Sequence, residues 1–563
     1  MKRILLPLLI LSVFAASMSA QRGNNIDARK LQLALYAISN LYVDSTSETK
    51  LVEDAIVGML EKLDPHSTYT DPEETKEMTE PLQGNFDGIG IQFNMLTDTL
   101  YVIQVIPGGP SEKVGLMAGD RIIMVDDTLI AGVKMKNTDV MKRLRGPKNT
   151  EVRVKVLRGG VPDLIEFKIT RGKIPVYSLD AAYMADKTTG YIKLNRFAAS
   201  SADEFREALE KLKKQGMKNL ILDLQGNGGG YLNIAIDLAD EFLGKDKLIV
   251  YTEGNKQPRE EAKSSARGGF EEGRLVVLVD ETSASASEIL SGAVQDWDRG
   301  VVVGRRTFGK GLVQKPIPMP DGSMIRLTVA RYYTPTGRSI QKPYVNGNQE
   351  QYNHDLIDRY NRGELMSADS IHFPDSMKYN TLETKRIVYG GGGIMPDIFI
   401  PRDTSGVTSY FSNVVNSGML NLYALEYSDR NYDKLASFKT YQDLHKYLQQ
   451  QPLLSDFTNY AAAKGIKKRP HLINISGKLI EKQIQAYIVR NFFDEAGFYP
   501  IFQNDDITLK RAVKVLNEGK SFPTLENKNN TPNGIAQSQT NTSRGYGFLK
   551  EIIYEDYIAG SLC

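Results

Sequence analysis

A serine-rich corner and a glycine-flanked lysine carry the strongest chemical signal in this sequence. The segment Thr282-Ser283-Ala284-Ser285-Ala286-Ser287-Glu288 follows an apolar run, Leu275-Val276-Val277-Leu278-Val279-Asp280, which has the character of a buried strand. It leads into Glu288–Trp297, which has the character of a helix. A serine at such a strand-to-helix corner exposes its hydroxyl, and the first amides of the helix face any negative charge that develops there. Lys310 lies 25 residues beyond Ser285, in Thr307-Phe308-Gly309-Lys310-Gly311, after a second strand-like run, Val301-Val302-Val303. Ser285 and Lys310 have the residue types of a nucleophile and its general base.

A serine hydroxyl attacks only when its proton is taken. The five histidines, His66, His354, His372, His445 and His471, fall into no recognisable nucleophile-base arrangement, so a Ser-Lys dyad is the economical choice. Such a lysine must be neutral near pH 7. Bringing it down from its ordinary pKa of about 10.4 costs about 4 kcal/mol, which desolvation in an apolar pocket can supply. Phe308, with glycines at 309 and 311 allowing close packing, makes such a pocket plausible. The oxyanion needs two N–H donors. One is expected from Ala286, after the nucleophile, and the other from Gly228-Gly229-Gly230, where missing side chains let the backbone approach the substrate.

Together these segments resemble the C-terminal processing, or tail-specific, proteases. Ser-Ala-Ser-Ala-Ser-Glu, the Thr-Phe-Gly-Lys-Gly turn and Gln314 carry the resemblance, and three further segments extend it. Leu63-Asp64-Pro65-His66-Ser67 with Tyr69 resembles the family's N-terminal signature. Gly88-Ile89-Gly90-Ile91 through Ala118-Gly119-Asp120-Arg121-Ile122 resembles its PDZ domain, and Asp223-Leu224-Gln225-Gly226-Asn227-Gly228-Gly229-Gly230 its glycine-rich loop. The match runs in order from about Leu41 to Ile340, with an echo at Gly391–Ile398. Gln225 and Gly228 stand where the family usually has arginine and proline. The resemblance implies an α/β multidomain protein: a ClpP/crotonase-like protease core, an inserted PDZ domain and an extra helical C-terminal region. It implies that Gln314 orients Lys310, that Gly229 is the second oxyanion donor, and that Arg145 links substrate occupancy to the active site.

A PDZ domain takes up a peptide C-terminus as an added strand and holds its carboxylate in a nest of amides. Gly88, Ile89, Gly90 and Ile91 have the form of that loop, with a preference for an apolar last residue. The expected partners are therefore proteins or peptides with free apolar C-termini. The implied function is serine endopeptidase action near such tails through an acyl-enzyme; a PDZ scaffold that only binds tails is the rival from another class. An acyl-thioester enzyme on a related core would explain neither the PDZ segment nor the Ser-Lys pair.

Other motifs have plainer explanations. Ser285-x-x-Glu288 also fits a helix capping box, a reading that Lys310 and the other matching segments weigh against. Gly226–Gly230 lacks the Gly-Lys-Ser/Thr of a phosphate loop. Asp64, His66 and Ser67 are adjacent and suit the cap of a turn better than a triad. Ser47-x-x-Lys50 mimics a penicillin-binding signature without its partner motifs.

The surrounding chain must position this chemistry. At 563 residues it calls for several domains, and 25% charged with 41% hydrophobic residues is ordinary for globular protein. A net charge of +2 and the absence of basic runs give no reason to expect nucleic acid as a partner, and no cofactor or metal is expected. Lys2-Arg3, the apolar run Ile4–Ala16 and small residues to Ala20 have the layout of a signal peptide, at 1–20, too short to span a bilayer. An exported, periplasmic protein is expected, soluble or peripherally attached to membrane. No cysteine follows the signal, which disfavours a lipoprotein, and the lone Cys563 allows no intrachain disulfide.

Periodicity suggests a helical segment at 24–83 packing on the catalytic core, a PDZ domain at 84–172 and a protease core at 173–402 with an irregular insertion at about 346–385. A helical region at 403–525 and a mostly disordered tail at 526–563 follow. Homo-oligomerisation and adaptor docking are the roles open to the C-terminal region.

Overall fold

A computed structural model describes residues 25–96 and 98–523; the expected signal peptide at 1–20 and the expected disordered tail at 526–563 lie outside the described residues. The chain divides into two compact units. The first comprises residues up to Thr75 with Gln314–Thr328 and Tyr344–Asn353, and the second comprises the rest.

In the first unit, helices Asn25–Leu41 and Glu48–Leu60 precede a short strand, Thr68–Thr70, paired antiparallel with Met324–Arg326. Ser47 caps the second helix by accepting from the Lys50 amide, while Lys50 Nζ pairs with Asp54 at 3.1 Å. That accounts for the Ser-x-x-Lys spacing. Asp64 is buried and caps its own turn, accepting from the amides of His66 and Ser67 and from Ser67 Oγ at 2.6 Å. Within this unit Leu31, Leu33, Ile38 and Leu41 of the first helix are exposed. Apolar periodicity shows that a helix wants a partner without saying which.

The second unit holds three cores. The first belongs to a six-stranded sheet of Leu179–Met184, Thr189–Leu194, Asn219–Asp223, Leu275–Val279, Val301–Gly304 and Ile398–Phe399, antiparallel at the first pair and parallel thereafter. Its central strands are apolar on both faces, as strands covered on both sides must be. Ile192, Leu220, Leu222 and Val277 face helices Ser201–Lys214, Leu232–Asp240 and Ala286–Asp296. The opposite face, Tyr191, Ile221, Val276, Leu278 and Val303, is roofed by Leu509, Ala512, Val515 and Leu516 of the Ile507–Glu518 helix.

The PDZ sheet runs in the order Ile91–Leu96, Thr99–Val105, Arg121–Val125, Glu151–Leu157, Ile165–Thr170, with the Asn137–Leu144 helix beside it. Val152, Val154 and Val156 alternate inward with exposed Glu151 and Arg153 outward, the period of a half-buried strand. An antiparallel ribbon, Asn85–Gly88 with Gly172–Pro175, closes the domain at its root.

The third core is a helical bundle from Ser409–Asn416 to the 33-residue helix Pro470–Phe502. That helix kinks at Phe493 and Asp494, where Asp494 has φ +50°. The Asp494 carboxylate accepts from Gln104 Nε2 of the PDZ domain at 3.1 Å. Where the sequence suggests irregular chain, Gln349–Asn361 is a helix; its buried side chains are Tyr352, Leu356 and Arg359, and with only two of them apolar the stripe is too narrow to stand out in a polar segment. No helix among the described residues is long and apolar enough to cross a membrane.

Candidate functional site

The Leu275–Val279 strand ends at Asp280, and the chain reverses through Ser283 and Ala284 into the helix that starts at Ala286. Asp280 organises this turn by accepting from the Thr282 and Ser283 amides and the Thr282 hydroxyl, at 2.7 to 3.0 Å. Burial opposes its charge, but the Arg305 guanidinium, the Thr282 hydroxyl and the Gly226 amide outweigh that and hold its pKa below the usual carboxylate range. Ser285 sits at the corner with φ +56° and ψ −112°. An ordinary capping serine adopts extended backbone, so this left-handed geometry is strain that the surroundings must hold.

Glu288 does much of the holding. Its side chain is fully buried, and one carboxylate oxygen accepts from the amides of Ser285 at 2.8 Å and Lys310 at 2.9 Å. The other accepts from Thr307 Oγ1 at 2.5 Å and the Gly309 amide at 2.8 Å. One carboxylate thus ties the serine turn to the lysine turn. Burial pushes its pKa up to about 7 against the opposing effect of the four donors, Thr307 foremost. Two more ties join the turns. The Phe308 amide donates to Ser283 O at 3.0 Å, and the Tyr332 hydroxyl lies 3.1 Å from Ser285 O and in contact with Lys310 O.

The glycine-rich loop closes the site from the other side. Asn227 O accepts from the Ala284 amide at 3.0 Å and from Ser287 Oγ at 2.9 Å, and Phe197 N donates to Gly229 O at 2.9 Å. A Cβ on Gly229 would lie 2.9 Å from Ser285 Cβ, 2.9 Å from Ala284 O and 3.0 Å from the Ala286 nitrogen, at a backbone φ of +106°. Only glycine fits so close to Ser285. Its amide donates to Asn227 Oδ1 at 2.9 Å in this conformation.

The structure therefore ties the turns of Ser285 and Lys310 together through Glu288 and sets Gly229 close against Ser285 and Ala286. Gln314, in the first unit, donates to Thr328 Oγ1 at 3.3 Å, and Thr328 in turn bonds Asp64 and Ser67. Arg145 pairs with Glu80 at 2.7 Å and lies over the Phe86 ring. In the PDZ domain, Gly88, Ile89 and Gly90 are buried, and the carbonyls of Ile89 and Gly90 accept from Ser111 and Ile106. Ile91 opens a strand that, among the described residues, pairs on one side only, which leaves its outer edge open to a further strand. Phe308 stacks under Lys342 Nζ, 4.0 Å from the ring centroid, so its ring serves a second lysine as well as its own turn. Among the described residues no group of His, Cys, Asp and Glu could hold a metal ion.

Sequence reasoning quoted Asn227 within the glycine-rich loop without giving it a role, and missed Tyr332; the bonds of both to the serine turn depend on chain reversals that no local spacing encodes. It saw Glu288 only as a cap. A glutamate destined for full burial at the start of an apolar helix is the signal that pointed further.

Comparison with known sequences adds to this geometry. The family model for peptidase family S41 matches residues 188–350, that for the PDZ domain residues 88–169, and that for the activating protease CtpB N-terminal domain residues 12–75. Residues 410–494 match a family of unknown function. A carboxy-terminal-processing protease of Bartonella bacilliformis is 38% identical over 306 residues, covering 53% of this chain and 69% of the relative. The carboxy-terminal processing protease CtpB of Bacillus subtilis is 35% identical over 336 residues, covering 58% and 68%. Among solved structures, a photosystem II D1 C-terminal processing protease is 30% identical over 55% of this chain and 89% of that one, with a TM-score of 0.32.

Proposed function

From the premise that this chain belongs to peptidase family S41, with the carboxy-terminal processing proteases, and is a serine-type peptidase, we propose that it cleaves proteins near free apolar C-termini through a Ser285–Lys310 dyad. The core is read as ClpP/crotonase-like. Lys310, neutral, takes the Ser285 hydroxyl proton as Oγ attacks the scissile carbonyl carbon. The amides of Ala286 and Gly229 receive the oxyanion, Gly229 exchanging Asn227 Oδ1 for the incoming charge. Collapse breaks the C–N bond; the proton on Lys310 passes to the leaving amine, and the acyl group stays on Ser285 as an ester. Water then gives a proton to Lys310 and attacks the ester, and the proton returns to Ser285 Oγ as the acid product leaves. Gln314 orients Lys310, and Arg145 relays PDZ occupancy.

The observation that carries this reading is the left-handed Ser285, tied by one buried carboxylate to the turn that holds Lys310. A tail-binding scaffold has no use for a strained serine or a buried glutamate. The tails enter along the open edge of Ile91–Leu96, with the carboxylate at Gly88–Ile91. The apolar run before Ala20 directs export to the periplasm. The test is labelling with a fluorophosphonate followed by peptide mass mapping. One adduct is expected, on Ser285, absent in Ser285→Ala; labelling that persists in Ser285→Ala, or maps to Ser283 or Ser287, moves the nucleophile elsewhere.

A further inference from the structure

The glycine-rich loop begins at Gln225, and both polar groups of that residue's backbone are anchored. Its N–H donates to Asp223 Oδ1 at 2.8 Å, and its carbonyl accepts from Lys193 Nζ. Lys193 also bonds Asp223 Oδ1 at 3.2 Å. Asp223 is buried at the end of its strand, so the orientation of its carboxylate sets where the loop leaves the sheet. The second oxygen, Oδ2, accepts from the hydroxyl of Tyr191 at 2.6 Å.

A tyrosine hydroxyl has one proton to give. Tyr191 is directed to give it to Asp223 because its oxygen is occupied by a donor, Gln503 Nε2, at 2.6 Å. The orientation of Gln503 is fixed in turn by the Tyr183 hydroxyl, which donates to Gln503 Oε1 at 2.9 Å. The relay runs one way, from Tyr183 through Gln503 and Tyr191 to Asp223, and no member can turn over without losing a bond. Burial, first, and then the neighbouring charge of Asp223 hold Tyr191 protonated far above neutral pH, so it stays a donor. Gln503 caps the end of the Pro470–Phe502 helix, far along the chain from the S41 match at 188–350. The same helix sends Tyr499 to Asp180 at 2.9 Å.

Resting on the oxyanion role given above to Gly229, we propose that Gln503 and Tyr191 are positioning residues for the glycine-rich loop, so that the C-terminal helical region is a working part of the active site. This goes beyond the family's Ser-Lys chemistry. It gives the C-terminal region a role in this chain, and it supplies the support that a loop with Gln225 and Gly228 needs from outside itself. Lys193 and Asp223 grip the loop, and Gln503 fixes the grip through one hydroxyl proton.

The test uses the full chain with Tyr191→Phe, Gln503→Leu and the double variant, beside Ser285→Ala. Steady-state cleavage of a free-tailed peptide is measured together with the affinity of the PDZ domain for a non-cleaved tail and the thermal midpoint. Tyr191→Phe should lower kcat about tenfold and Gln503→Leu about threefold, with KM and tail affinity unchanged. Because both act through one proton, the double variant should be no slower than Tyr191→Phe alone. Unchanged kcat in a folded Tyr191→Phe enzyme, or losses that multiply in the double variant, would overturn the relay. Gln503→Leu, with wild-type kcat, would overturn it even where Tyr191→Phe does not fold. Inactive Ser285→Ala beside a fully active Tyr191→Phe would reject the relay and leave the dyad standing, whereas an active Ser285→Ala would reject both.

Discussion

Replacing Glu288 by glutamine keeps the shape of the side chain and changes one acceptor into a donor. The two carboxylate oxygens serve four donors, the amides of Ser285 and Lys310 on one and Thr307 Oγ1 with the Gly309 amide on the other. A glutamine can keep its oxygen on the first pair, and the Thr307 hydroxyl can rotate to accept from the new NH2. The Gly309 amide is then left without a partner, which costs about 1–3 kcal/mol. Against this stands the cost of burying the charge. Glu288 is raised from 4.5 to about 7 in the folded protein, worth about 3 kcal/mol once both states are ionised. Between these two values the folded state holds the proton and the unfolded state has lost it, so stability from this group is fully present below pH 4.5 and falls as pH rises through about 7. Glutamine does not titrate. The stability advantage of the wild type should therefore be largest below pH 4.5 and shrink by about 2–3 kcal/mol between pH 5 and pH 8, all other titrating groups cancelling in the difference. Trp297, the single tryptophan, closes the helix that carries Glu288, so urea unfolding followed by its fluorescence reports the relevant core. Activity gives an independent check. The acid form of Glu288 and the glutamine share one missing acceptor, so the ratio of wild-type to Glu288→Gln kcat should rise with pH through about 7, while any limb from Lys310 divides out. A stability difference and a rate ratio that are both flat from pH 5 to 8 would show that Glu288 does not titrate there and would refute the reasoning.

Lys310→Arg should be inactive while folded, because arginine stays protonated at any workable pH; more than a few per cent of wild-type turnover would remove Lys310 as the base. Gly229→Ala places a methyl within 3.0 Å of the Ala286 nitrogen and at a left-handed φ, so kcat should fall about a hundredfold, and a rate within threefold of wild type would show that the loop has room to spare. Amidating the substrate tail removes the charge that Gly88–Ile91 is proposed to hold, so amidated and free-acid peptides should differ in KM; equal kinetics for the two would place recognition elsewhere.

Local chemistry wrote much of the site into the sequence. The apolar run before Asp280, the Ser-x-x-Glu spacing and the glycines around Lys310 each constrain backbone within a few residues, and the structure draws them into one assembly around Glu288. The PDZ strands were legible for the same reason: alternation in Glu151–Leu157 is set by the pleat, and the observed strand has those bounds. Legibility ended where a residue's partner is distant in the chain. Tyr332 reaches the carbonyls of Ser285 and Lys310 from the strand Met324–Tyr333, and nothing near it in sequence marks it out.

The C-terminal region shows most clearly why a catalytic core can be recognised while what completes it is not. A parallel sheet needs cover on both faces, and the sequence between Asn219 and Gly304 announces that need through strands apolar on both sides. It contains helices for one face only. The cover for the other, Leu509, Ala512, Val515 and Leu516, arrives about two hundred residues later, after a bundle that folds on its own side chains. The same excursion delivers Gln503 to Tyr191. Once the sheet has been roofed by that distant helix, a truncation after the S41 match cannot be a neutral trimming. It uncovers Ile221, Val276 and Leu278 and strips Tyr191 of the donor that directs its proton, so the buried apolar face and the loop beside Ser285 depend on one stretch of chain.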